Sequence, residues 1–276
     1  MDIYQKTTAF YRRVKTEKKI FGKSRLGRNL YAVKVGEGSP VGIAVYAVHG
    51  REFITAELAF RHYEKGAVGA LWLIPLLNPD GALISEVGLS SVRTGRYRKF
   101  LSSFSAEQLR LWKANAYGVD LNVNFDADFG QGVKNVRTRG VENCVGPYPF
   151  SERETRAIRA FTLSLSPDYT VSYHTKGEEI YWYYGQPLFN VARDLALAET
   201  LASSCGYPLK AVKGSVGGYK DWCIKALGIP SFTVEVGNDS LPHPLCGEEA
   251  LSDVLTKNEN ALCALSKAVK ELKGIQ

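Results

Sequence analysis

Short apolar runs recur along this chain, and three of them carry a histidine or a glutamate at or near their ends. Gly42-Ile-Ala-Val-Tyr-Ala-Val48 runs into His49, Asp168-Tyr-Thr-Val-Ser-Tyr173 runs into His174, and Ser231-Phe-Thr-Val-Glu-Val236 holds Glu235 near its end. Runs of this length and continuity read as buried strands. Ala70-Leu-Trp-Leu-Ile-Pro-Leu77 is another such strand, and 27–35 reads as a strand too. Between them lie helical stretches at about 55–65, 186–205, 219–227 and 248–273. The alternation, without a linker, predicts a single α/β domain over 1–276 with a largely parallel sheet.

Other local signals fill in the path. Residues 1–20 read as a helix with Tyr4, Phe10, Tyr11 and Val14 on its apolar face. Asn78-Pro-Asp-Gly81 reads as a turn. Ser151-Glu-Arg-Glu154 has the form of a capping box opening a helix to about 165. The stretch from about 86 to 146 is polar and irregular, and a long loop in a compact domain often carries function.

In the 276 residues, hydrophobic types make up 45% and charged types 23%, ordinary values for a globular chain. No run reaches the roughly 20 apolar residues of a membrane span. The polar start lacks the apolar segment of a signal peptide, which points to the cytoplasm. Five scattered cysteines without CxxC spacing argue against a disulfide framework. The net charge of +7 is spread out rather than clustered with aromatics, which speaks against nucleic-acid binding.

In His49-Gly-Arg-Glu52 an imidazole and a carboxylate lie three residues apart at a strand-to-helix corner, a spacing that places them on one face of a helical turn. Zinc accepts such ligands, and a catalytic site needs three plus an open position. His174, at a second strand end, supplies the third, since ligand sites in open α/β sheets gather at the carboxyl ends of strands. Glu235, in an apolar strand, is a carboxylate whose burial raises its pKa toward the range useful for proton transfer. His62 is expected on the polar face of its helix and His243 in a surface loop. The cluster Tyr181-Trp-Tyr-Tyr184 reads as core or pocket wall.

These residues resemble the zinc carboxypeptidase family. Its pattern is His-x-x-Glu, a distant histidine at a strand end and a late glutamate, here His49, Glu52, His174 and Glu235. Flanking matches are Asn78-Pro-Asp-Gly81, Gly118-Val-Asp-Leu-Asn122 and Gly217-Gly-Tyr-Lys-Asp-Trp222. Within the family, Ser172-Tyr-His-Thr-Lys-Gly-Glu-Glu-Ile-Tyr-Trp182 and Gly218-Tyr-Lys-Asp-Trp222 look most like bacterial γ-D-glutamyl-meso-diaminopimelate peptidases. The resemblance implies a mixed, mostly parallel twisted sheet of about eight strands with helices on both faces. It also implies one zinc ion, a murein stem peptide as substrate, and Glu235 as the base.

By the same resemblance, Lys113 follows Trp112 where relatives place the arginine that steadies the oxyanion, and Arg110 is the second choice. Asn122 and Tyr219 are expected at the substrate. Asp120 is expected to orient a ligand or brace its loop. Val123 stands where carboxypeptidases carry the arginine that clamps a terminal carboxylate. Lys220, with Lys213, is expected to read a carboxylate of the diamino acid. An amidohydrolase of the same fold and a binding protein without catalysis are the competing classes, and the oligomeric state stays open.

Overall fold

The apolar runs pair into one sheet of eight strands, ordered β1-β2-β4-β3-β5-β8-β6-β7. The computed structural model describes residues 1–93, 95–211 and 214–274. In chain order the elements are α1 (Ile3–Arg13), β1 (Lys18–Lys23), β2 (Asn29–Val35), β3 (Val41–Tyr46), α2 (Thr55–Lys65), β4 (Ala70–Ile74), α3 (Pro79–Val87), α4 (Gly95–Leu101) and α5 (Ala106–Arg110). After a long loop come α6 (Arg153–Leu165), β5 (Tyr169–His174), β6 (Glu179–Tyr181), α7 (Leu188–Cys205), β7 (Leu209–Lys210), α8 (Tyr219–Leu227), β8 (Ser231–Glu235), α9 (Glu248–Asn258) and α10 (Ala261–Leu272).

The centre, β4-β3-β5-β8, is parallel. Antiparallel pairs join β1 to β2, β2 to β4 and β6 to β8. This is the mixed sheet the alternation predicts. Side chains alternate between two cores. Ala44, Tyr46, Val171, Tyr173, Phe232 and Val234 face α2, α7, α9 and α10. Ile43, Val45 and Trp72 face α6 and α8 on the other side. Helices on both faces explain why the central strands are buried along nearly their whole length, polar residues such as Thr170, Ser172 and Ser231 included.

From β3 the chain crosses to β4 on one side and later returns to β5 on the other. Such a reversal opens a crevice at the carboxyl ends of the two strands. His49 follows β3, His174 ends β5 and Glu235 ends β8, so three neighbouring strands deliver three chemical groups to one edge.

Four local expectations change. The first helix stops at Arg13, because β1 follows; that strand, Lys-Lys-Ile-Phe-Gly-Lys, is a charged edge without apolar alternation. Asn78-Pro-Asp-Gly81 is the start of α3 rather than a free turn: the Asn78 side chain accepts from Gly81 N at 2.9 Å and Pro79 occupies the first turn. Residues that make turns also begin helices. The expected capping box at 151–154 does not form; Glu152 is the N-cap and the Glu154 carboxylate instead accepts from Arg25 N at 2.7 Å. The last helix is two, α9 and α10, broken at Glu259 and Asn260.

Candidate active site

His49 leaves β3 in extended conformation, and Gly50–Glu52 makes a single 3-10 turn before α2. That tight turn folds Glu52 back under His49. Gly50 has a steric reason to be glycine: a Cβ there would lie 2.5 Å from the Gly81 backbone and 2.7 Å from Trp112 O. The space lets the 112–114 segment dock on the corner, where Gly50 N donates to Lys113 O at 2.9 Å. The Asn78 amide ties the same segment to β3 by donating to Val48 O and Ala114 O, both at 3.1 Å.

Three donors then converge. His49 Nδ1 lies 2.8 Å from Glu52 Oε1, His174 Nδ1 lies 2.9 Å from Glu52 Oε2, and the two Nδ1 atoms are 3.1 Å apart. All three side chains are buried, and their ligand atoms fall within 4.8 Å of one another. Two imidazole nitrogens facing each other across a buried carboxylate are satisfied together by a cation. Two nitrogens and a carboxylate suit zinc. Behind them, Asp120 Oδ1 stands 3.3 Å from His49 Nε2, the kind of outer carboxylate that sets a ligand histidine's tautomer.

Burial alone would raise the Glu52 pKa, but the His49 and His174 imidazoles outweigh it and hold the carboxyl ionised far below its usual range. Asp120 behaves alike, with Lys113 and His49 overcoming its burial. Lys113 Nζ sits 3.2 Å from Asp120 Oδ2, and the carboxylates of Asp120 and Glu52 keep its ammonium above the ordinary lysine value despite burial.

Glu235 pairs with His174 across the β5–β8 ladder. Desolvation, with the charges of Glu52 and Glu179, pushes its pKa up to about 8 against the pull of His174 and Lys113. A dication at the neighbouring donors would draw it back down. Glu235, Asn122 and Lys220 line one cavity together with Tyr181, Ser215, Gly218, Asp221 and Thr233. Asn122 Oδ1 accepts from Tyr219 N at 3.2 Å, which leaves its amide N–H groups for the cavity. Lys220 is a buried cation, paired with Asp221 at 2.6 Å.

Other sites from the sequence lie elsewhere. Tyr219 is a core residue: fully buried, it shares a hydrogen bond with Thr162 at 2.8 Å and packs on Phe125 and Trp222. The first turn of α8 directs it into the sheet while Lys220 and Asp221 line the cavity. Arg110 is engaged by Glu107 and by the His243 carbonyl at 2.8 Å. Lys213 falls outside the described residues.

His62 is buried rather than on a polar face, with Tyr46 Oη 2.6 Å from its Nδ1 and Asn258 O 2.9 Å from its Nε2. His243 lies in the loop between β8 and α9, as expected, but is half-buried there; burial, then the nearby Arg51 guanidinium, push its imidazole down to about 4. The 181–184 cluster divides: Tyr181 lines the cavity and Tyr183 is 40% exposed, whereas Trp182 and Tyr184 are partly buried and pack against the two cores. Asp221 was missed as a cavity residue, and its one signal was its position beside Lys220.

Fold and donor set together define a mononuclear zinc hydrolase on an α/β scaffold. The chain belongs to the zinc carboxypeptidase family, peptidase M14, whose pattern matches residues 69–258. It is 30% identical over 244 residues to "Gamma-D-glutamyl-L-diamino acid endopeptidase 1" of Lysinibacillus sphaericus, covering 81% of this chain and 61% of that protein. The chain spans about three-fifths of the length of the curated relatives it matches. Among solved structures, bovine thrombin-activatable fibrinolysis inhibitor superposes with a TM-score of 0.81 at 19% identity, over 100% of this chain and 98% of that one. Murein-tripeptide amidase MpaA from Escherichia coli O157 superposes at 0.62 with 22% identity, over 95% of each chain. Both share the fold. Among the described residues no helix is long and apolar enough to cross a membrane.

Proposed function

We propose that this zinc peptidase hydrolyses the amide between the γ-carboxyl of D-glutamate and meso-diaminopimelate in peptidoglycan stem peptides. The observation that carries the reading is the cavity holding Glu235 and the buried cation Lys220 together. A cation there suits a residue that brings a carboxylate on its side chain. The name of the Lysinibacillus relative, a γ-D-glutamyl diamino acid endopeptidase, supports the same substrate class.

His49, Glu52 and His174 would hold the zinc. Bound there, zinc supplies Lewis acidity toward the scissile carbonyl and lowers the pKa of a water to about 7. Glu235, beside the donors, takes the proton of the attacking water and returns it to the leaving amine. Lys113, kept charged by Asp120, faces the negative charge that develops on the carbonyl oxygen. Asp120 steadies both Lys113 and His49. Asn122 donates to the substrate from the cavity wall, and Lys220 meets the diamino acid's carboxylate. Val123, buried where relatives carry a carboxylate clamp, removes the usual grip on a C-terminus.

Digestion of L-Ala-γ-D-Glu-meso-diaminopimelate, followed by mass spectrometry, tests this. The zinc-loaded protein is expected to release L-Ala-D-Glu and free diaminopimelate, and a chelator to stop it. Intact tripeptide in the zinc-loaded sample overturns the assignment.

A further inference from the structure

The cavity beside Glu235 has a volume of 180 Å³. Pockets for whole small ligands run to about 300–1,000 Å³, so this one receives a single side chain. Its wall carries both signs of charge. Lys220 and Asp221 are only 5% and 6% exposed, and the Lys220 ammonium meets Asp221 Oδ1 at 2.6 Å. Lys220 also donates to Tyr183 O at 3.3 Å and lies 5.1 Å from the Tyr184 ring centroid. An ammonium has three N–H groups, so one is left over. Asp221 accepts from Lys220 on one oxygen and from Gly218 N at 3.1 Å on the other, and each oxygen keeps a lone pair.

A lone buried lysine would select a carboxylate, and a lone buried aspartate an ammonium. A buried pair offers a donor and an acceptor side by side with little net charge. We infer that Lys220 and Asp221 together read a zwitterion: Lys220 holds the side-chain carboxylate of diaminopimelate and Asp221 holds its side-chain ammonium. The inference rests on the murein-peptide reading and goes beyond it, because it makes Asp221 a specificity residue and selects diaminopimelate over lysine. A lysine side chain would satisfy Asp221 but set a second ammonium beside Lys220 and leave the spare N–H without an acceptor. Sites built to pair buried polar groups reject ligands that leave them unpaired.

Free amino acids report on the pocket without catalysis. The zinc-loaded protein is titrated by calorimetry with meso-diaminopimelate, with L-lysine, which lacks the carboxylate, and with L-2-aminopimelate, which lacks the ammonium. Diaminopimelate is expected to bind about tenfold or more tighter than either. Asp221→Asn, whose amide oxygen can still accept from Gly218 N, should erase the advantage over aminopimelate. Lys220→Met should erase the advantage over lysine. Equal binding of the three by the unaltered protein, or an equal loss for all three in the variants, overturns the inference. The unaltered protein's ranking decides the matter even where a variant fails to fold. That ranking without tripeptide cleavage upholds the pocket and sinks the murein reading, whereas cleavage without ranking overturns the pocket alone.

Discussion

At the scale of single residues, the proposed site divides the groups that would hold a metal from the one that would move a proton. His49, Glu52 and His174 are buried and locked to one another, while Glu235 is partly exposed to the cavity on the next strand. Removing the carboxylate from Glu235 therefore removes proton transfer and leaves the donors intact. Glu235→Gln is expected to lose about a thousandfold in kcat while binding one zinc per chain. Steady-state kinetics beside metal analysis checks both, and full activity in the variant sinks the role. The two strand-end histidines and Glu235 were legible because an apolar run that carries an ionisable residue is costly unless that residue has a partner. Tyr219 was not legible as core, since its neighbours in sequence line the cavity and only the pitch of α8 separates them.

At the scale of elements, helix α2 does two jobs. Its start follows directly from Glu52, and its end holds His62 between β3 and α9, against Tyr46 and Asn258. Burial pushes the His62 imidazole down to about 4 from 6.5. Between those values the unfolded chain binds a proton that the folded chain refuses, so acid favours unfolding. The contribution of this group is complete above pH 6.5 and is lost as pH falls toward 4, a change of roughly 3 kcal/mol. Urea unfolding at pH 7 and at pH 4.5 should show this extra acid sensitivity in the unaltered protein and lack most of it in His62→Gln. Equal slopes in the two proteins would remove the assignment. Helix α3 teaches a related lesson: Asn78-Pro-Asp-Gly81 looks like a turn because turns and helix starts draw on the same residues.

At the scale of the molecule, a zinc ion held by His49, Glu52 and His174 would tie the end of β3 to β5 across the crevice where strand order reverses. A ligand that binds only the folded chain stabilises it by about 4 kcal/mol at a thousandfold excess over its Kd. For a domain of this size that is roughly 10 °C in Tm. Stripping zinc with a chelator should therefore abolish hydrolysis and lower Tm by about that amount, and added zinc should restore both. Calorimetry with and without chelator measures it; a Tm indifferent to metal would remove zinc from the structural role.

The helices on both faces were expected from the resemblance to the zinc carboxypeptidases; the amino-acid order alone pointed to the parallel centre of the sheet and to the three candidate donors with their neighbouring carboxylate. Each of the latter follows from local pattern, either an apolar run of strand length or a spacing of three residues at a corner. Folding settled what depends on approach between distant segments. It paired Asp120 with Lys113 and His49, turned Arg110 toward Glu107, buried His62, and set Lys220 and Asp221 in one wall with Glu235. Contacts of that kind depend on where backbones meet, as at Gly50 against Gly81 and Trp112, and no periodicity in the chain encodes those meetings.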